Sequence, residues 1–385
     1  MRYRRHVHIY ALATIIMLAG VWGGQAIAGC IEQSRTTNSR KTIDTQDLSL
    51  DAMIGQMLMV GFDGSEPAHE SVSIMRDQLA RGIVGGVFFL KRNIKNKAQI
   101  ARLTRYFLSA KSQLPPFISV DQEGGKVQRL NGSNGFSSSP SAYDVARKHG
   151  TSGADRIYRR MAKQLHRAGF NLNLGPVVDV NVNRSNPVIA KLERSYGRDP
   201  ARVVAFARSF VKAHRAAGIL TAIKHYPGHG NSASDSHLGF VDITRTWRPL
   251  ELEPYRAMYK AKAVDMVMVG HLYHPDFADG ARTPATLSRK AISHRLRGDV
   301  GKDVVVITDD MEMGAIRDLY ATDTAIIQAI IAGNDILLFS QTKEQQRSFP
   351  ESFLAIVKAA ISDGRLSRKR IATSYRRIAR LKQCL

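Results

Sequence analysis

The chain has 385 residues, 44% of them apolar, with 56 Lys and Arg against 33 Asp and Glu, a formal net charge of +23. That is enough apolar chain to bury a full core, as one large α/β barrel or two small domains. Its only cysteines, Cys30 and Cys384, predict no disulfide framework. The surplus of positive charge points to anionic lipid or acidic cell-wall polymer. With no helix-turn-helix, zinc-finger or aromatic RNA-binding motif, nucleic acid is excluded as a partner.

At the N-terminus Arg2, Arg4 and Arg5 precede an uncharged apolar run from Ile9 to Gly24, followed by small residues at Ala26, Ala28 and Gly29. This is the layout of a secretory signal over residues 1–29, too short and wrongly flanked for a membrane span. Ile27-Ala28-Gly29-Cys30 also fits a bacterial lipoprotein box, in which a lipidated Cys30 becomes the new N-terminus and anchors the protein to the membrane. Exported and held in the cell envelope is the expectation. Removing residues 1–29, with three arginines and no acids, leaves +20. Residues 30–48, polar and rich in Ser, Thr and Asn, read as a flexible tether ahead of a body over 49–385.

Within the body, eight short apolar runs predict strands: Met57 to Gly61, Val84 to Leu90, Phe117 to Asp121, Phe170 to Leu174, Leu220 to Lys224, Met266 to Gly270, Val304 to Thr308 and Ile336 to Phe339. Amphipathic runs alternate with them over Glu70 to Arg81, Lys97 to Ser112, Gly153 to Ala168, Pro200 to Ala217, Arg248 to Ala263, Arg289 to Leu296 and Thr322 to Gly333. The fold class is therefore α/β, a single (β/α)8 TIM barrel, with a doubly wound open sheet as the alternative. The basic C-terminal run, Arg365 to Lys382, carries Leu366, Ile371, Tyr375, Ile378 and Leu381 at helical spacing. It reads as a last helix packed on the body with a solvated basic face, the alternative being a membrane-surface helix.

Polar residues gather just after the strands, on one rim in a barrel: Asp121 to Gly125, Asp179, the cluster from Lys224 to Gly230, His271, and Asp309-Asp310. Pro227, Gly228 and Gly230 keep the cluster after the fifth strand from forming a helix, so His225 and His229 do not share a helical face as a zinc pair would. No metal site is expected. Strand alternation sends one of Asp309 and Asp310 into the mouth and its neighbour away. Asp235-Ser236-His237 sets a carboxylate two residues from an imidazole on a loop, where Asp235 can orient His237 for acid/base work.

Lys224-His225-Tyr226-Pro227-Gly228-His229-Gly230, Asp235-Ser236-His237 and Ile307-Thr308-Asp309-Asp310-Met311 together resemble glycoside hydrolase family 3, in its bacterial exo-β-N-acetylglucosaminidase (NagZ-type) branch. The resemblance runs from about Ser49 to the end. It takes in Asp121-Gln122-Glu123-Gly124-Gly125-Lys126-Val127-Gln128-Arg129 and Glu193-Arg194-Ser195-Tyr196-Gly197. It implies a TIM-barrel retaining glycosidase in which Asp309 is the nucleophile and His237, paired with Asp235, the acid/base. Asp121 would accept hydrogen bonds from sugar hydroxyls at the closed end of the pocket, and Arg129, Arg194, Lys224 and His225 would hold the terminal N-acetylglucosamine. No cofactor is implied. The expected substrates are GlcNAc-containing cell-wall oligosaccharides, and the expected state is a monomer. A β-glucosidase or β-xylosidase of the same family, a catalytically silent wall-binding lipoprotein, and a metal-dependent hydrolase are the rivals. Two departures stand out: Asn231-Ser232 occupies the place of the family's usual Asp-Thr, and Glu312 that of a small residue, its carboxylate expected to face solvent.

Overall fold

A computed structural model describes Ile27, Gly29, Cys30, residues 43–340 and residues 347–385. All eight expected strands form: β1 Leu58–Gly61, β2 Gly86–Phe89, β3 Phe117–Val120, β4 Leu172–Asn173, β5 Leu220–Tyr226, β6 Met266–Val269, β7 Val305–Asp310 and β8 Ile336–Phe339. They pair in parallel in the closed order β1-β8-β7-β6-β5-β4-β3-β2. Ring closure, which periodicity cannot test, is thereby settled in favour of the barrel over the open sheet. Nearly every strand residue is buried on both faces, which is why the strands read as continuous apolar runs rather than alternating ones. The strand β4 is shorter than expected, since the side chain of Asn171 replaces a rung and accepts from Ile118 N at 2.7 Å.

The main helices are α1 Glu70–Ala80, α2 Lys97–Leu108, α3 Gly150–Arg167, α4 Pro200–Arg215, α5 Glu253–Lys260, α6 Thr322–Ala332, α7 Phe349–Ser362 and α8 Arg368–Lys382. Sequence chemistry sets their ends. Asn96 caps α2 by accepting from Gln99 N, and Asp199 caps α4, whose first residue is Pro200. Residues 290–296 wind as a π-helix. A hairpin of Gln122–Gly124 with Val127–Gln128 follows β3.

Three expectations about the chain ends are corrected. Cys30 and Cys384 form a disulfide across a sequence separation of 354, with Cα atoms 5.7 Å apart. The bridge occupies the sulfur that acylation of Cys30 would need, so a thioether at that position requires the bridge not to form. Residues 43–48 of the expected tether are docked, because Arg368 donates to the carbonyls of Thr45, Gln46 and Leu48.

The basic face of α8 is solvated only at its start, at Arg368 and Lys369; its later basic side chains turn onto the body. Arg370 donates to Ile330 O, Arg376 to Ile43 O and Thr45 Oγ1, Arg377 to the buried Asp335, and Arg380 to Asp303. Lys382, fully buried at the barrel floor, donates to Gln56 Oε1 at 2.7 Å and Gly85 O at 2.6 Å. These basic side chains fasten the helix to the floor.

The export signal read from residues 1–29 lies, apart from Ile27 and Gly29, outside the described residues. Among the described residues no helix is long and apolar enough to cross a membrane.

Candidate active site

The excursion after β3 and the end of β5 meet in one cluster of charges at the mouth. Lys224 Nζ lies 2.8 Å from both Asp121 Oδ1 and Glu123 Oε1. Arg194 grips Glu123 with Nε to Oε2 at 2.8 Å and Nη2 to Oε1 at 2.9 Å, and its Nη2 also meets His225 Nε2 at 3.2 Å. Arg129 reaches Asp121 Oδ2 at 3.4 Å. Burial would raise the Glu123 carboxyl, but the charges of Arg194 and Lys224 prevail and hold it well below the usual carboxylate range. Burial would likewise discharge Lys224, yet Asp121 and Glu123 raise its pKa and keep it an ammonium.

A regular strand sends neighbouring residues to opposite faces. Here the register of β5 against β6 shifts between Ile223 and Tyr226, and Lys224 and His225 both join the same cluster.

Beneath it, the fully buried Asp179 fixes His225 and the turn that follows. Its Oδ2 lies 2.7 Å from His225 Nδ1, and its Oδ1 accepts from His225 N at 3.2 Å and His229 N at 2.8 Å. His229 meets Ser232 Oγ through Nδ1 and Ser236 Oγ through Nε2 at 3.3 Å. Burial, then the charge of His225, lowers its pKa to about 4, so it is neutral near pH 7. Gly230 is required by close approach: a Cβ there would fall 1.8 Å from Val180 O. Ser232 also accepts from Asn186 Nδ2 at 3.0 Å, which gives the departure from the family's Asp-Thr a defined place.

At the end of β7 the two aspartates divide as strand alternation predicts. Asp310 turns to the backbone, accepting from Ser340 N at 2.9 Å and Glu312 N at 3.1 Å. Asp309 accepts from Asp310 N at 2.9 Å and faces the imidazoles. Burial would raise its pKa, but His225, His271, the Asp310 N–H and His237 bring it down to about 2. His271 is pinned between Thr286 Oγ1 at 2.8 Å and Asp310 O at 2.9 Å. Glu312 is half-buried rather than solvated, and burial, then Asp310, raises its carboxyl.

Across the mouth, His237 Nδ1 lies 2.8 Å from Asp235 Oδ1, and the same oxygen accepts from His237 N at 2.9 Å. The carboxylate fixes the ring's tautomer through Nδ1 and leaves Nε2 open to other partners. The imidazole is 64% exposed, so it can meet a group entering from solvent. Its loop is fastened to the segment after β7, with Gly314 N donating to His237 O at 3.3 Å and Ala315 N to Ser236 O at 3.2 Å.

Every residue expected from the sequence thus lies on one rim, except Cys30 at the opposite end. Sequence reasoning quoted Glu123, Asp179, His229 and His271 without giving them work, and it missed Asn186 and Glu251. Glu251, buried under the turn, accepts from Gly230 N at 2.9 Å and Asn231 N at 3.3 Å, and burial raises its pKa to about 8. In sequence it looks like an ordinary acid opening a helix. No group of metal-holding residues stands among the described residues.

Comparisons with known proteins agree with this geometry. Residues 49–381 match the model of the glycosyl hydrolase family 3 N terminal domain. The chain is 31% identical over 379 residues to beta-hexosaminidase A of Pseudoalteromonas piscicida, covering 90% of this chain and 63% of that protein. With beta-hexosaminidase LpqI of Mycobacterium tuberculosis it shares 35% over 281 residues, 70% of this chain and 68% of that protein. A solved family 3 beta-N-acetylglucosaminidase from Paenibacillus sp. superposes with a TM-score of 0.79 at 34% identity, over 88% of this chain and 62% of that one. The chain thus spans less than two thirds of the Pseudoalteromonas and Paenibacillus proteins. A beta-N-acetylhexosaminidase from Beutenbergia cavernae is matched over its whole length, with a TM-score of 0.76 at 28% identity and 88% of this chain covered. By its match over most of its length, the chain belongs to glycosyl hydrolase family 3.

Proposed function

We propose that this chain is a retaining, exo-acting β-N-acetylglucosaminidase that releases terminal β-linked GlcNAc from peptidoglycan fragments or related oligosaccharides, and that it works as an exported monomer. The reading rests on the pairing of His237 with Asp235 at 2.8 Å, presented at the same mouth as an Asp309 held ionised down to about pH 2.

In the first step an Asp309 oxygen attacks the anomeric carbon while its bond to the leaving oxygen breaks, and His237 Nε2–H gives that oxygen its proton. In the second, neutral His237 takes a proton from water, whose oxygen displaces Asp309 from the anomeric carbon with net retention. Asp235 stabilises the imidazolium that enters the first step and is regenerated in the second. Asp121, Lys224, Arg194 and His225 form the floor for the terminal sugar, with Arg129 beside them, 3.4 Å from Asp121 Oδ2. The names of the relatives support an acetamido sugar. The disulfide supports export, because such bonds persist in oxidising compartments.

The test is nitrophenol release from the β-N-acetylglucosaminide and the β-glucoside, by wild type and by Asp309→Ala. Turnover of the acetamido substrate alone, lost in the variant, is expected. Preference for the glucoside would overturn the sugar assignment, and binding of wall oligosaccharides without turnover would make the chain a binding protein.

A further inference from the structure

The charge surplus does not reside where the sequence places it. Most cations of α8 are taken up by backbone carbonyls or acids: Arg370, Arg376 and Arg377 by Ile330 O, Ile43 O and the buried Asp335, and Arg380 by Asp303. Those of α3 are free of such partners. The buried face of α3 presents Ile157, Tyr158, Met161, Ala162 and Leu165 to the core. Its outer face carries Arg156, Arg159, Arg160, Lys163 and Arg167, all exposed, and none of these forms an ion pair among the described residues. Together with Lys97 they line a groove of about 560 Å³ on the barrel flank, walled by Phe136 and Ser137 and containing no acidic residue.

The groove is built rather than incidental. Ser137 N donates to Gln164 Oε1 at 2.8 Å, and Gln164 Nε2 donates back to Ser137 O at 3.2 Å, fixing the wall to the helix. Phe136 is buried, with Lys97 Nζ 5.7 Å from its ring centre. Along the helix Arg156–Arg160, Arg159–Lys163 and Lys163–Arg167 are like-charge pairs at i,i+4, each destabilising a helix by roughly 0.2–0.5 kcal/mol. The fold gains nothing from that repulsion; a polyanion relieves it.

We propose that this groove binds a linear phosphodiester polymer through its backbone charges. Arg156 to Arg167 span about 16 Å of helix, enough for several repeats of such a chain. Four of the six cations are arginines, whose planar forks share the oxygens of a phosphate. The lining offers no exposed large apolar side chain to enter a lipid layer, and its one aromatic ring, Phe136, is buried and closed to base stacking. The inference does not depend on the sugar chemistry: the groove lies outside the catalytic mouth, and its readout is binding.

The test measures binding of fluorescently labelled poly(glycerol phosphate) to the full chain by anisotropy. Its comparators are poly-glutamate of equal charge and vesicles containing phosphatidylglycerol. Arg156→Gln/Arg159→Gln/Arg160→Gln/Lys163→Gln is set against Lys111→Gln/Arg208→Gln/Lys260→Gln/Lys302→Gln, which removes the same charge elsewhere. The groove variant should lose at least ~10-fold in affinity and the control under ~3-fold, with binding that weakens steeply between about 50 and about 200 mM salt. Equal losses in the two variants would reduce the effect to net charge and overturn the site. Poly-glutamate bound as tightly would overturn the phosphate assignment, and vesicles bound as tightly, with the same loss in the groove variant, would make it a membrane surface. Unchanged melting of the groove variant separates these outcomes from misfolding.

Discussion

Arg194 and Glu123, 71 positions apart, share two hydrogen bonds of 2.8 and 2.9 Å, and the same guanidinium touches His225 at 3.2 Å. The fork lets one side chain neutralise a buried acid and position an imidazole at once, which a lysine cannot copy. Arg194→Lys should therefore raise KM for the acetamido substrate by ~10-fold or more. Arg194→Ala should also lower unfolding stability by about 3–5 kcal/mol, since it leaves Glu123 buried with one partner fewer. Initial rates and denaturant melts read the two effects separately.

Asp309→Ala should reduce turnover by at least ~10³-fold without loss of stability, because the proposed nucleophile is lost while its imidazole neighbours keep their own partners. With Asp309 ionised down to about pH 2, an acid limb in kcat/KM above pH 4 must come from another group. A limb there that persists unchanged in Asp235→Asn would weaken the assignment of the dyad.

His237→Gln should cost ~10²–10⁴-fold on a GlcNAc disaccharide and markedly less in the first step on the nitrophenyl substrate, whose leaving group needs little protonation. Pre-steady-state release of nitrophenol followed by slow turnover is the expected trace. Equal losses on both substrates would argue against proton donation by His237.

Glu251 supplies a pH effect whose sign can be worked out. Its pKa is raised from 4.5 unfolded to about 8 folded. The native state then binds the extra proton between these values, and its contribution to stability, full below 4.5, declines through about pH 8 by at most roughly 1.4 kcal/mol per pH unit. Glu251→Gln keeps an acceptor for Gly230 N but cannot ionise. The variant should melt increasingly above wild type as pH rises from 5 to 8, and parallel curves would contradict the protonated state.

Cys30→Ser should lower stability by ~2–4 kcal/mol under oxidising conditions, with no effect in reductant. Peptide mapping without reduction should find Cys30 joined to Cys384. A lipid-bearing Cys30 peptide would show instead that the sulfur is acylated.

Much of the fold was legible because each buried strand left an unbroken apolar run and each helix a periodic one, and the rim followed from where polar residues interrupt those runs. What stayed illegible depends on contacts across the chain. Glu251 carries no local sign that its carboxyl will sit under Gly230, and the partners of Arg377 and Lys382 lie in other elements. Composition gave the chain's charge, but only packing shows which cations remain free. Cys30 and Cys384 pair only once the barrel brings its two ends to one floor.

That floor gives the molecule a direction. Ile27 packs beside Gly218 just ahead of β5, and Lys382 sits under Gln56, Gly85 and Phe117, all at the entry ends of strands. The Cys30–Cys384 bridge ties both chain ends to this side, while His237 and Asp309 open on the other. Chemistry at the Cys30–Cys384 bridge is therefore kept a barrel's length away from the mouth, which stays clear of both cysteines.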